Sequence, residues 1–301
     1  MNLPQEYKVI VRLTGGLGNQ MFQYAAASRI AIHNNALLQI DLSWYDQRGD
    51  WTPRRYELDE FKIPVEFATQ KEVKDLLSIR KSFFLRGIAP FLKSRMFNTN
   101  QAHIIEKDFA FDPDILSVTG NIYLDGYWQS YKYFEDVDET IRKDFCFRAG
   151  IGSNSRQVED MIKSCEAVSL HIRRGDYVTL TSASTYHGLC SLQYYEKAAS
   201  IIKERLNNPV VFVFSDDIQW AKDHLKFDMP IFFVDYSGTT AHMDMYLMSL
   251  CRHHIIANSS FSWWGAWLNQ SSDKIVITPK QWFKDESINT ADLIPESWVR
   301  I

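Results

Sequence analysis

From Ala167 to Thr278 the sequence alternates short apolar runs with longer segments whose apolar residues recur every three to four positions, and this rhythm constrains the fold more than any other feature. "AVSLHI" reads as a strand, "SLQYYEKAASIIKERL" as a helix, "PVVFVF" as a strand, "DIQWAKDHL" as a helix and "PIFFVD" as a strand. A helix around Asp244 to Cys251, the short strand "HIIA", a helix through "WWGAWL" and the strand "KIVIT" continue the order. Such alternation predicts a parallel sheet covered by helices on both faces. The chain opens in the same way. Lys8 to Leu13 alternate as a strand does, "TGGLGNQ" breaks the run, "MFQYAAASRIAIH" has helical spacing and "ALLQID" returns to an extended pattern. That is a βαβ unit.

A chain of 301 residues is long enough for two domains of ordinary size. "RAGIGSNSRQ", Arg148 to Gln157, has the glycine and serine content of a linker, so the expected division is 1–152 and 153–301. With 46% hydrophobic and 23% charged residues the composition is that of a globular protein, which excludes disordered and fibrous classes. A net charge of −4 argues against a nucleic-acid partner. Cys146, Cys165, Cys190 and Cys251 form no CxxC pair, so neither zinc nor a disulfide framework is signalled. The start "MNLPQEYKVIVRL" and the absence of any long apolar span lead to the expectation of a cytoplasmic protein that does not cross a membrane. Ile79 to Phe97 carries five basic residues and no acid. It reads as a helical hairpin broken at Pro90. The alternative is a basic amphipathic surface resting on the inner face of the membrane.

Four motifs carry the chemistry. In "TGGLGNQ", Gly15, Gly16 and Gly18 follow a strand and open a helix, which lets a ligand approach the backbone and the helix N–H groups. The dinucleotide pattern GxGxxG fails at Met21, although Asp41 stands roughly where a ribose-binding acid would. Asn19 and Gln20 place two amides together, as hydroxyl recognition requires. In "HIRRGD", Arg173 and Arg174 end an apolar strand, and a planar guanidinium suits a pyrophosphate. Side chains alternate there, so one arginine is expected to face the ligand and the other to pair with an acid such as Asp176. His171 reads as a buried, hydrogen-bonded histidine rather than a base. Ser215, Asp216 and Asp217 end another strand, where carboxylates can accept from a guanine or a ribose, while Asp217 can also cap the next helix. Asn258, Ser259 and Ser260 precede an aromatic helix and suit a phosphate at its N-terminus. The plainer reading of that stretch is a cap on a core helix. No DxD has the context of a metal site, and no metal or other cofactor is expected.

Taken in order, "GGLGNQMFQYA", "HIRRGDYV", "SDD" and "CRHHIIANSSFSWWGAWL" resemble the galactoside α-1,2-fucosyltransferase family. The resemblance implies an α/β, GT-B-like fold, with two Rossmann-like domains facing across a cleft. The N-terminal one would be the acceptor side, and GDP-fucose would be held mainly by the C-terminal one. It also implies a bacterial-type, metal-independent enzyme of carbohydrate or O-antigen synthesis that moves fucose to a terminal β-galactoside, free or lipid-linked. By motif, Arg173 would hold the donor pyrophosphate, Asp176 would order its loop, Asp216 and Asp217 would recognise the nucleotide, Ser259 and Ser260 would meet phosphate, and Asn19 would stand beside the fucose. Gly16, Gly18, Gln20, His171, Arg174, Ser215 and Asn258 complete the expected donor site. Asp176 and His171 are the candidate bases. The rival readings are a nucleotide-dependent oxidoreductase built on "GGLGNQ" and a non-catalytic glycan-binding module.

Overall fold

The computed structural model describes residues 7–47, 49, 52–64, 66–84, 101–148, 153–175, 188–235 and 241–301. The chain forms two compact units, one from Met1–Gly49, Arg54–Cys146 and Asn289–Leu293, the other from Asp50–Pro53, Phe147–Ile288 and Ile294–Ile301.

The first unit holds β1 (Lys8–Arg12), α1 (Leu17–Asn34), β2 (Leu37–Asp41), β3 (Glu66–Phe67), α2 (Gln70–Phe84), β4 (Gln101–Ile105), β5 (Asn121–Asp125) and α3 (Asp138–Asp144). Its five strands are parallel and ordered β3-β2-β1-β5-β4. Val9, Ile10 and Val11 are wholly buried, as a central strand covered on both faces requires. The βαβ unit expected at the start of the chain is therefore present. Two further strands, β4 and β5, lie in the stretch where the sequence showed no clear periodicity. Asp292 fastens its short segment to this unit: its carboxylate pairs with Lys132 at 2.6 Å and its carbonyl accepts from Ser130 at 2.8 Å.

The second unit holds α4 (Ser153–Lys163), β6 (Glu166–Ile172), α5 (Leu192–Arg205), β7 (Pro209–Ser215), α6 (Ile218–His224), β8 (Ile231–Phe233), α7 (Ala241–Leu250), β9 (His253–Ile255), α8 (Ser260–Leu268), β10 (Val276–Thr278) and β11 (Val299–Arg300). Its parallel sheet runs β11-β10-β9-β6-β7-β8. Val168, Leu170 and Ile172 of β6 join Val211 and Val213 of β7 in one cluster with Tyr195, Ala198 and Ile202 of α5. Period-two alternation sends Ser169 and His171 to the opposite face. There Trp263 and Trp264 of α8 are fully buried and stack edge to face, so these indoles belong to the core.

The expected linker is shorter than its composition suggested. Ser153 to Gln157 form the first turns of α4, because Ser155, Val158 and Ile162 share a buried stripe. Of the basic stretch 79–97, residues up to Phe84 continue α2, and the rest, with the break expected at Pro90, lies outside the described residues. No helix among the described residues is long and apolar enough to cross a membrane.

Candidate active site

In the second unit the chain leaves β6 toward β7 and β8 on one side and returns through β9 and β10 on the other. The switch point therefore falls between β6 and β9. Open α/β sheets bind ligands in the crevice beyond the strand carboxyl ends at such a point. Arg173 and Arg174 follow β6, and Asn258, Ser259 and Ser260 follow β9, so two of the four motifs flank this position.

The third motif meets them from β7, paired with β6 so that Ile172 lies opposite Ser215. Arg173 Nη1 stands 2.8 Å from Asp216 Oδ2, and Arg174 Nε stands 3.1 Å from Asp217 Oδ2. The Arg174 backbone N–H donates to Asp216 Oδ1 at 2.8 Å. Both arginines are thus neutralised by the neighbouring strand end, whereas the sequence suggested Asp176, which lies outside the described residues. The reason is register: adjacent parallel strands bring "RR" and "DD" side by side. Asp217 also caps α6, accepting from the Trp220 N–H at 3.2 Å, while its own N–H donates to Ser215 Oγ at 2.9 Å. The Arg174 guanidinium lies 4.1 Å from the centre of the Trp220 ring. Ion pair and indole together hold Arg174 in the framework. Gly175 has a steric role, since a Cβ there would stand 2.8 Å from Asp216 Oδ2.

His171 is buried as expected, but its Nδ1 has no hydrogen-bond partner among the described residues. Burial, reinforced by Arg173 and opposed by Asp216, pulls its pKa down to about 4, so it is neutral at physiological pH and a poor base. Its ring tilts against Phe261, 5.5 Å away between centres. Ser259 occupies the N-cap position of α8, yet its side chain makes no capping bond, which departs from the plain cap reading. Asn258 is corrected in the other direction. Its amide donates to the carbonyls of Gly188 at 3.3 Å and Trp282 at 3.1 Å and accepts from Cys190, so it holds surrounding loops together.

Sequence reasoning passed over Asp244. It lies in the first turn of α7, one turn before Met248, which packs on Gly265 of α8. Its Oδ1 is buried without a hydrogen-bond partner among the described residues, and burial pushes its carboxyl up to about 7. No periodicity marks such a residue, because one acid in an amphipathic helix ordinarily faces water.

In the first unit Gly15 adopts φ +73°, the left-handed region that favours glycine, and a Cβ there would strike Asn19 Nδ2 at 2.6 Å. Gly16 is the N-cap of α1 and Gly18 is buried in its first turn. Gln20 is not available for hydroxyls. Its amide donates to the carbonyls of Gly15 at 3.1 Å and Arg55 at 2.8 Å and accepts from the Glu57 N–H at 2.9 Å. Asn19 Oδ1 accepts from Gln129 at 2.8 Å. Asp41, the residue a dinucleotide fold would use for ribose, is buried and accepts from Tyr123 and from the backbone and hydroxyl of Ser43. That removes the structural basis of the oxidoreductase reading. Gln23, also passed over, ties the loop to the sheet by bonding Thr14 and the Gly126 carbonyl.

The family model for glycosyl transferase family 11 matches residues 76–301. An Alpha-1,2-colitosyltransferase of Escherichia coli is 39% identical over 97% of this chain and 98% of its own length. The O-antigen biosynthesis glycosyltransferase WbnK of Escherichia coli is 34% identical over 96% of this chain and 99% of its own. Among solved structures, an Arabidopsis thaliana FUT1 mutant in complex with GDP matches with a TM-score of 0.54 at 10% identity, over 94% of this chain and 73% of that one. This last likeness is one of fold, the α/β GT-B type with two Rossmann-like units.

Proposed function

The chain belongs to glycosyl transferase family 11, and from that premise we propose that it moves L-fucose from GDP-fucose to the 2-hydroxyl of a terminal β-galactoside, with inversion and without a metal. The observation that carries this reading is the pair of lips at the switch point of the second unit, Arg173 after β6 and Ser259–Ser260 at the start of α8.

The chemistry follows from charge. As the anomeric C–O bond breaks, negative charge grows on the β-phosphate of departing GDP, and the sugar takes on oxocarbenium character. A guanidinium aimed there, with the N–H groups of the first turn of α8, steadies the departing group more than the intact donor. Arg173 is the arginine for this role. Arg174 is held in the framework by Asp217 and by stacking on Trp220, while Arg173 is oriented by Asp216 through Nη1. Asp216 orients it and takes the nucleotide side with Asp217. In this reading the C-terminal unit carries the donor and the N-terminal unit the acceptor, with Asn19 assigned to sugar hydroxyls.

A second donor is favoured by one observation, the 39% identity to an enzyme named for colitose, the 3-deoxy counterpart of fucose. The acceptor is read as an O-antigen unit, free or lipid-linked, from the name of the 34% relative. The test is incubation with GDP-fucose, a galactoside and EDTA. GDP and a fucosylated product are expected. Competition with GDP-colitose, read by mass spectrometry, ranks the donors. GDP binding without transfer from either donor would leave only a binding module and overturn the proposal.

A further inference from the structure

We propose that Glu106 is the base of the transfer, accepting the proton of the acceptor hydroxyl as that oxygen bonds to the sugar. The assignment rests on the glycosyl-transfer reading above and adds to the candidates Asp176, which lies outside the described residues, and His171.

The place comes from topology. In the first unit β1 leads to β2 and β3 on one side, and β5 and β4 lie on the other, so the switch point falls between β1 and β5. Thr14 and Gly15 follow β1, Gly126 and Tyr127 follow β5, and Glu106 follows β4 next to them. Glu106 thus stands on the β5 side of the crevice that the "TGGLGNQ" loop borders, next to Asp125 at the end of β5, which is committed to Arg12.

The side chain is built into this position. Glu106 Oε2 accepts the Tyr127 N–H at 2.6 Å and Oε1 accepts the Trp128 N–H at 2.9 Å. Trp128 takes φ 56°, so the backbone bends left-handed to present both donors. Gly126 admits the carboxylate, because a Cβ there would meet Glu106 Cβ and stand 2.8 Å from Oε2. Each oxygen keeps a second acceptor site beyond its backbone partner. The side chain is partly exposed. Tyr127 beside it is 44% exposed, an aromatic surface on which a sugar face can rest.

The charge state agrees. Burial, opposed by the two backbone N–H bonds and helped by Asp108, pushes the Glu106 carboxyl up to about 7. Among the described residues, Tyr127 and Tyr133 also interact with it, Lys107 beside it in sequence pairs with Asp112, and Asp125 at the end of β5 is engaged by Arg12 of β1 at 3.0 Å and by His103 of β4 at 3.8 Å. A base with a pKa near the working pH is both ionised and strong enough to take a proton. The step balances: the acceptor O–C bond forms, the C–O bond to the β-phosphate breaks with its electron pair leaving on GDP, and the hydroxyl proton passes to Glu106 and then to water.

The test compares wild type, Glu106→Gln and Glu106→Asp in transfer to a galactoside and in calorimetric binding of GDP. Glu106→Gln should lower kcat by about a hundredfold or more while GDP binds within about twofold of wild type. In wild type and in Glu106→Asp, kcat should fall on the acid side, with a midpoint near 7 for wild type, and this limb should be missing from the residual activity of Glu106→Gln. If Glu106→Gln fails to fold, the wild-type and Glu106→Asp profiles decide alone. A Glu106→Gln enzyme with at least about a third of wild-type kcat, or a wild-type profile flat through neutrality, overturns the assignment and leaves the transferase reading intact. A wild type that binds GDP but transfers to no acceptor overturns both.

Discussion

Replacing Glu106 by glutamine should change the dependence of stability on pH, and the size of the change can be worked from the site. Burial holds the carboxyl at about 7 in the folded chain, against 4.5 in an open one. The folded protein therefore keeps a proton that the unfolded chain loses first. Stability contributed by Glu106 is greatest in acid, begins to fall as pH rises past the open-chain value, and stops falling above about 7. Linkage over this interval gives roughly 2.5 kcal/mol between about pH 5 and about pH 8, and partial solvent exposure of the side chain reduces the expectation to about 1–2 kcal/mol. Glutamine has no such titration. Its single carbonyl can accept only one of the Tyr127 and Trp128 N–H groups, which adds a cost of about 1–3 kcal/mol that is the same at every pH. The signature is therefore a slope and not an offset. Asp244, also raised to about 7, slopes in the same direction in both proteins and cancels in the difference. The assay is urea unfolding followed by tryptophan fluorescence, with Trp128 beside the site. Wild type should lose its advantage over the variant as pH rises. A difference that stays constant within about 0.5 kcal/mol across that range would refute the assignment of a buried, raised carboxyl.

Three further outcomes follow from neighbouring observations. Gly175→Ala puts a methyl 2.8 Å from Asp216 Oδ2, so the carboxylate must leave Arg173, and calorimetry should show GDP binding about three- to tenfold weaker with little change in thermal midpoint. His171, held neutral by burial, should add no pH dependence to GDP affinity between about pH 6 and about pH 8; a rise in affinity through acidification in that interval would mean that the imidazole is charged. Gly265→Ala brings a methyl 3.1 Å from Met248 Cβ where α7 and α8 pack, and should cost about 1–3 kcal/mol in denaturant unfolding.

The second unit was largely legible because its longer strands are apolar runs and its helices are long enough to show a period. "AVSLHI" and "PVVFVF" match β6 and β7 almost residue for residue. The strands β4 and β5 were not legible, since five residues each, separated by an irregular stretch, give too little pattern to distinguish them from loop. The motif residues could be singled out as charge and amide at strand ends, but their partners could not. Whether Gln20 meets a ligand or the Arg55 carbonyl depends on a segment 35 residues away. Arg173 and Asp216 needed the order of the sheet to be brought together. Glu106 left no local mark at all, because what distinguishes it is the pair of N–H groups at Tyr127 and Trp128, presented from the next strand.

The central claim is that Arg173 at the switch point of the second unit holds the donor diphosphate in place of a cation. Titration of GDP in EDTA into wild type and Arg173→Ala, side by side in the calorimeter, tests it most directly. Wild type should bind as tightly in EDTA as in magnesium, and the variant should bind at least about tenfold more weakly while remaining folded, a loss of about 1.4 kcal/mol or more. Equal affinity in the two proteins, or wild-type binding that vanishes with EDTA, would contradict it.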